Sequence, residues 1–286
     1  EAIDTIIDWG FNAIDWQIDS DLRFRPDAAG NGPERLSPTG LLSVLCVSNV
    51  HDVEQLQTTE SACQPDFVDP DALSAGIAAV DLAGRLGAPY VREYLGCHSP
   101  GALQYRPGLL HGWRDQVRRT VRAALPILSR ADQVGTVLCV EPHPRQSIFD
   151  LEGLELAQQL AAESGFRIGL AFDPANLIAA GQDPVAFLRE LLTAPEILHL
   201  KDVETSSRAR HPIDDGWRRY GTGKHVRFLT AGDGEVDWPA VTEELLRLGF
   251  DGPAVLELED STLDLATSVA RGRAFAERIA STLSQN

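Results

Sequence analysis

Short apolar runs that end in a charged or ligating side chain recur along this chain, and they constrain its fold more than any other feature. The clearest is Val137-Leu-Cys-Val-Glu-Pro-His-Pro144. An unbroken apolar run of this kind reads as a parallel strand buried on both faces. Pro142 ends it, because proline cannot donate to a strand ladder. Glu141 is thereby placed at the carboxyl end of a buried strand, where α/β barrels build their active sites. Ile168-Gly-Leu-Ala-Phe runs in the same way into Asp173, Ile197-Leu into His199, and Ala254-Val-Leu into Glu257.

Between these runs the chain alternates helix and strand. A helix end over 1–9, closed by Gly10, precedes a strand over 11–18. A polar, Gly- and Pro-rich loop is expected over 19–40, then strands over 41–47 and 88–95. Helices are expected over 70–86, 113–134 (with Pro126 as a kink), 151–164, 184–192, 237–248 and 262–283. Asp183 is well placed to cap the helix that starts at Pro184. Residues 203–236 read as one long polar loop. Strict alternation of this kind is the signature of a parallel sheet with helical crossovers. The expected fold is a single (β/α)8 TIM-barrel domain over 1–286. Only seven strands are counted and no methionine occurs, so the first strand is expected to precede Glu1.

With 43% apolar and 23% charged residues, the chain is an ordinary globular one. Its net charge of −17 argues against nucleic acid or an anionic membrane as partner, though not against a small anionic substrate. Cys46, Cys63, Cys97 and Cys139 form no C-x-x-C pair, and Cys46 and Cys139 sit inside apolar runs as core residues. That usage suits a reducing cytoplasm. There is neither a signal-peptide pattern nor an apolar run of membrane-spanning length.

Parallel strands carry all their carboxyl ends to one face. Glu141, Asp173, His199 and Glu257 therefore converge on one mouth. Three carboxylates packed together repel one another, and a divalent cation removes the conflict. Two Glu, one Asp and one His suit Mn²⁺, Mg²⁺, Co²⁺ or Zn²⁺, with Mn²⁺ the first expectation. Asp202 and Glu259 follow these ligands closely and are expected to support them or to face solvent.

Val140-Glu-Pro-His143, Phe172-Asp-Pro-Ala-Asn176, His199-Leu-Lys-Asp202, Gly232-Asp-Gly-Glu-Val-Asp-Trp238 and Leu256-Glu-Leu-Glu-Asp260, in this order and spacing, resemble the xylose-isomerase-like TIM barrels. That family includes sugar phosphate isomerases and epimerases, ketose 3-epimerases and inositol-catabolism isomerases. The resemblance spans the whole chain. It implies Glu141, Asp173, His199 and Glu257 as ligands of one divalent metal, and Glu141 and Glu257 as the acid–base pair. It also implies a homodimer. The epimerases often carry a histidine three residues after the Asp ligand, where Asn176 stands here. His143, Asn176, Lys201, Arg227, His98 and Trp16 are the expected substrate-binding residues, with Arg208 and Arg210 of the long loop as further candidates.

The leading expectation is a metal-dependent isomerase or epimerase of a small carbohydrate or polyol-derived ketone, working by proton transfer next to a carbonyl. The same ligand set serves lyases of related scaffold, namely inosose and dehydroshikimate dehydratases and the catalytic subunit of C-glycoside deglycosidases. A non-catalytic sugar-binding or partner subunit is the third reading, and retention of all four ligand positions speaks against it. An endonuclease IV-like activity needs more metal ligands and a basic DNA-facing surface, which the charge of −17 disfavours.

Overall fold

The structure, a computed structural model, describes residues 2–18, 42–49, 53, 56, 68–96, 109–144, 146–206, 217–219 and 225–284. Helix α1 (Ala2–Asp8) leads into β1 (Ala13–Gln17) and β2 (Ser43–Ser48). There follow α2 (Pro70–Leu86), β3 (Tyr90–Glu93), α3 (Leu109–Val134), β4 (Val137–Val140), α4 (Leu151–Glu163), β5 (Ile168–Phe172), α5 (Pro174–Ala179), α6 (Pro184–Glu190) and β6 (Ile197–Leu200). A three-stranded excursion, β7 (Asp202–Ser206), β8 (Arg218–Arg219) and β9 (His225–Leu229), precedes α7 (Trp238–Leu248), β10 (Ala254–Leu256) and α8 (Leu265–Leu283).

β1 to β6 and β10 form one parallel sheet in the order β1-β2-β3-β4-β5-β6-β10. With helices on its outer side this is the architecture of a TIM barrel. Among the described residues no strand lies between β10 and β1. Arg273 of α8 reaches the Trp9 carbonyl across that interval. None of the described helices is long and apolar enough to cross a membrane.

Local sequence explains where the helices start and stop. Asp69, Asp150, Asp183, Asp237 and Asp264 each cap a helix by accepting backbone N–H bonds of its first turn. Gly87 and Gly249 end α2 and α7 in the left-handed region, with φ of +68° and +71°.

The strands are apolar on both faces, so alternation is invisible in the sequence until the layers are separated. Val47, Val91, Leu138, Val140, Leu170, Phe172, Leu198 and Leu200 face the helices in the main core. Cys46, Cys139, Ala171 and Ile197 form a second buried cluster inside the barrel. Two residues further along each of these strands stand Ser48, Glu141, Asp173 and His199. Period-two geometry thus builds an apolar floor and, one layer above it, the polar mouth.

Residues 203–236 were expected to be one polar loop. Instead β7, β9 and β8 pair antiparallel in that order. Val203, Val226 and Phe228 bury one face of this sheet against Ala175 and Ala179 of α5. Polar residues cover the other face, so the apolar alternation is sparse. Its intervening residues 207–216, with Arg208 and Arg210, lie outside those described.

Candidate metal centre

Four side chains meet at the carboxyl ends of β4, β5, β6 and β10. Glu141, Asp173, His199 and Glu257 each offer one ligand atom, and these atoms lie within 4.8 Å of one another. Each carboxylate is tethered by neighbouring donors and presents one oxygen to the centre. Asp173 Oδ1 caps α5, accepting from Ala175 N at 2.8 Å and Asn176 N at 3.0 Å, while Oδ2 lies 3.8 Å from His199 Nδ1. Pro174, at the first position of α5, fixes the turn that makes this division. Glu141 Oε2 is held by Arg92, while Oε1 accepts from Asn176 Nδ2 at 2.7 Å and faces His199 Nδ1 at 3.1 Å. Glu257 Oε2 accepts from Lys201 Nζ at 2.6 Å, and Oε1 lies 3.5 Å from His199 Nδ1. The ladder carries on past β10, since Glu257 N donates to Leu200 O.

One imidazole nitrogen among three carboxylate oxygens is a donor set that fits a divalent cation such as Mn²⁺, Mg²⁺ or Zn²⁺. Glu141 is fully buried, whereas the Glu257 side chain keeps 14% exposure and so faces the mouth. Burial pushes the Glu141 carboxyl up, but Arg92 and His199 beside it overcome this and hold it well below the usual carboxylate range. Burial also opposes ionisation of Glu257, yet Lys201, His199 and Arg92 lower it to about 2. Burial would lower the His199 pKa, and Glu257 and Glu141 instead raise it to about 10. In the metal-free protein the imidazole therefore carries a proton at neutral pH.

Among the expected substrate-binding residues, Lys201 and Asn176 reach this cluster. Lys201 Nζ lies 2.8 Å from Asp173 Oδ2 and sits over the Phe228 ring at 4.6 Å. His143 stacks on Tyr94 with ring centroids 5.0 Å apart, in the loop that follows Glu141. Arg227 does not join the cluster. On β9 it alternates with Phe228, so it pairs with Glu204 at 2.6 Å and lies over the Trp217 ring. Trp16 is packed in the main core between sheet and helices. Its neighbour Asp15 is the residue that turns into the barrel, by the same one-residue alternation. His98 lies outside the described residues.

Sequence reasoning missed Arg92, Ser48 and Asp15. Arg92 is buried on β3, and its NH1 group donates to both Glu141 and Glu257, the latter at 3.0 Å. Its Nε donates to Ser48 Oγ at 3.0 Å and lies 3.4 Å from Asp15 Oδ2. The usable signal was an arginine inside the apolar run 88–95, because a buried cation needs carboxylates around it.

A family model of xylose isomerase-like TIM barrels matches residues 3–279. An inosose dehydratase from Lacticaseibacillus casei is 23% identical over 149 residues, which are 52% of this chain and 49% of that protein. The chain thus spans about half the length of this curated relative. Among solved structures, an IOLI protein with a bound zinc atom superposes with a TM-score of 0.69 at 14% identity, covering 99% of this chain and 93% of that one. An L-ribulose 3-epimerase superposes with a TM-score of 0.63 at 14% identity, covering 98% and 89%. With the family model matched over nearly its full length, the chain belongs to the xylose isomerase-like TIM barrels.

Proposed function

We propose that the protein is a divalent-metal-dependent enzyme that moves a proton next to a carbonyl in a sugar or polyol-derived ketone, with isomerisation or epimerisation as the outcome. The observation that carries this reading is the pair of glutamates, Glu141 and Glu257, that flank His199 and share one arginine nitrogen. A bound divalent ion would polarise the carbonyl and so acidify the adjacent C–H. Held ionised, either glutamate can take that proton as a base. The electron pair of the C–H bond moves into an enediolate. For an epimer the other glutamate, protonated from solvent, delivers its proton to the opposite face of the same carbon and the first gives up its own to solvent; for an isomer the abstracted proton goes back to the neighbouring carbon. Lys201, at 2.6 Å from Glu257, keeps that carboxylate ionised and so ready to act as the base. Asn176 orients Glu141 through its amide.

Elimination of water is the second reading, favoured by the likeness to an inosose dehydratase. It begins with the same proton removal. The electron pair then expels a β-hydroxyl, which leaves as water after accepting the abstracted proton from the glutamate that took it.

The test is proton exchange. The Mn²⁺-loaded protein is incubated in D₂O with ketoses, inososes and keto-glycosides, and NMR reads deuterium uptake and products. Deuterium beside the carbonyl with an epimer or isomer formed is the expected result. Dehydrated or deglycosylated products would replace it with the lyase reading. No exchange with any ketone would overturn both. Glu141→Gln and Glu257→Gln should each lower turnover by roughly 10²–10⁴-fold with the circular dichroism unchanged, and full activity in either variant would remove that glutamate from the acid–base pair.

A further inference from the structure

We propose that Arg92 is the positioning residue of the metal centre, a guanidinium clamp on β3 that sets the spacing of Glu141, on the neighbouring strand, and Glu257, across the barrel mouth. The catalytic part of this proposal rests on the reading above. The geometric part stands on the contacts alone.

Arg92 is only 5% exposed. Its planar fork works at both ends. Nε donates to Ser48 Oγ at 3.0 Å, and Ser48 in turn donates to Asp15 Oδ1 at 2.6 Å. NH1, at the far end, donates to Glu141 Oε2 and to Glu257 Oε1. The register places Ser48 beside Arg92 on neighbouring strands. One connected network thus runs from β1 and β2 through β3 to the ends of β4 and β10. It crosses the barrel mouth and meets two ligands that no direct strand pairing joins. A single nitrogen bonded to both carboxylates fixes where each can lie relative to the other. The Asp15–Ser48 anchor fixes where that nitrogen lies.

Charge neutralisation alone would not need this arrangement. Lysine carries the same charge, but it offers a point ammonium with no second donor on its stem, so it cannot be anchored by Ser48 and hold two carboxylates together. Neutralisation and positioning also predict opposite signs for metal binding. If Arg92 were merely a cation near the site, removing it would relieve repulsion and tighten a divalent ion. If it positions the ligands, removing it loosens them and weakens the ion.

Calorimetric titration of the chelator-stripped protein with Mn²⁺ separates the two. Arg92→Ala and Arg92→Lys should both bind Mn²⁺ roughly 10–100-fold more weakly than wild type, the range seen when groups supporting metal ligands are removed. Ser48→Ala, which leaves the charge in place and removes only the anchor, should weaken binding several-fold. With a ketone substrate in hand, Arg92→Lys should lower kcat by about 100-fold, as expected for a displacement on the order of 1 Å, with KM little changed. Equal or tighter Mn²⁺ binding by Arg92→Ala overturns the proposal. So does wild-type binding in both Arg92→Lys and Ser48→Ala, the variants that decide if Arg92→Ala does not fold. A rise in KM with kcat unchanged overturns it as well, because that makes Arg92 a substrate-binding residue. Should the wild-type protein exchange no proton with any ketone, the proposed function fails, and the Mn²⁺ titration still decides the role of Arg92.

Discussion

Asp173 shows how one side chain can serve the fold and the site together. Its Oδ1 caps α5, and its Oδ2 points to Lys201 and His199. Asp173→Asn can keep the cap through its remaining oxygen, but its amide then presents N–H groups to the Lys201 ammonium. The expected outcome is a loss of Mn²⁺ affinity of at least tenfold with the α-helical circular dichroism retained. Affinity equal to wild type would exclude Asp173 as a ligand. The buried thiols allow a second check at this scale. Burial pushes Cys139 and Cys46 well above the ordinary thiol range. Neither should be modified by a thiol reagent until the protein unfolds, and peptide mapping of the labelled native protein tests it. At the scale of residues, the sequence showed what stood at the end of an apolar run and hid what stood within one. Glu141, Asp173, His199 and Glu257 were legible because each closes a run. Arg92 was hidden by the apolar residues around it. Asp15 was hidden by phase, because nothing in the sequence decides which of Asp15 and Trp16 faces the lumen.

At the scale of elements, the Asp-Pro and Asp-x-x caps made helix starts readable, whereas the sheet of β7, β8 and β9 was not readable as such. Its strands are held by a contact distant in sequence. Asp202, fully buried, accepts from Val203 N and Val236 N through Oδ1, and from Gly232 N and Trp238 Nε1 through Oδ2, all at 2.9–3.0 Å. This one carboxylate ties the start of β7 to the turn that follows β9 and to the first residue of α7. Gly234 completes the joint, since a Cβ there would lie 2.3 Å from Asp202 Oδ1. Four donors converge on two oxygens, so no neutral isostere can satisfy them. Asp202→Asn turns an amide toward two N–H groups, and Asp202→Ala leaves all four without their acceptor. Each should cost at least about 3 kcal/mol in urea unfolding. Because Lys201 immediately precedes Asp202, the Lys201 contacts should loosen as well. A cost below 1 kcal/mol, on the order of a typical single hydrogen bond, would show that this joint does not hold the excursion to the barrel.

At the scale of the whole molecule, the buried cluster links folding to pH in a way that depends on the metal. His199 has its pKa raised in the folded, metal-free protein from the ordinary 6.5 to about 10, against the effect of burial, by Glu257 and Glu141. A group bound more tightly to its proton when folded adds stability that is fully present below about pH 6.5 and is lost as pH rises toward 10. Glu257 has its pKa lowered from 4.5 to about 2, against burial, by Lys201, His199 and Arg92. Its contribution is present above about pH 4.5 and is lost as pH falls toward 2. In a chelating buffer the stability gap between wild type and His199→Asn should therefore hold steady up to about pH 6.5 and close by pH 10. A gap that stays constant to pH 10 would refute the raised imidazole. The same proton sets the pH dependence of loading. A histidine ligand binds metal only after losing its proton, so each unit of pH between 6.5 and 9 should tighten Mn²⁺ by about tenfold through this one group. Calorimetry in buffers of different ionisation enthalpy should count about one proton released per ion near pH 7.5. Binding without proton release would mean that the His199 imidazole carries no proton before the ion arrives, and would refute the raised imidazole a second time.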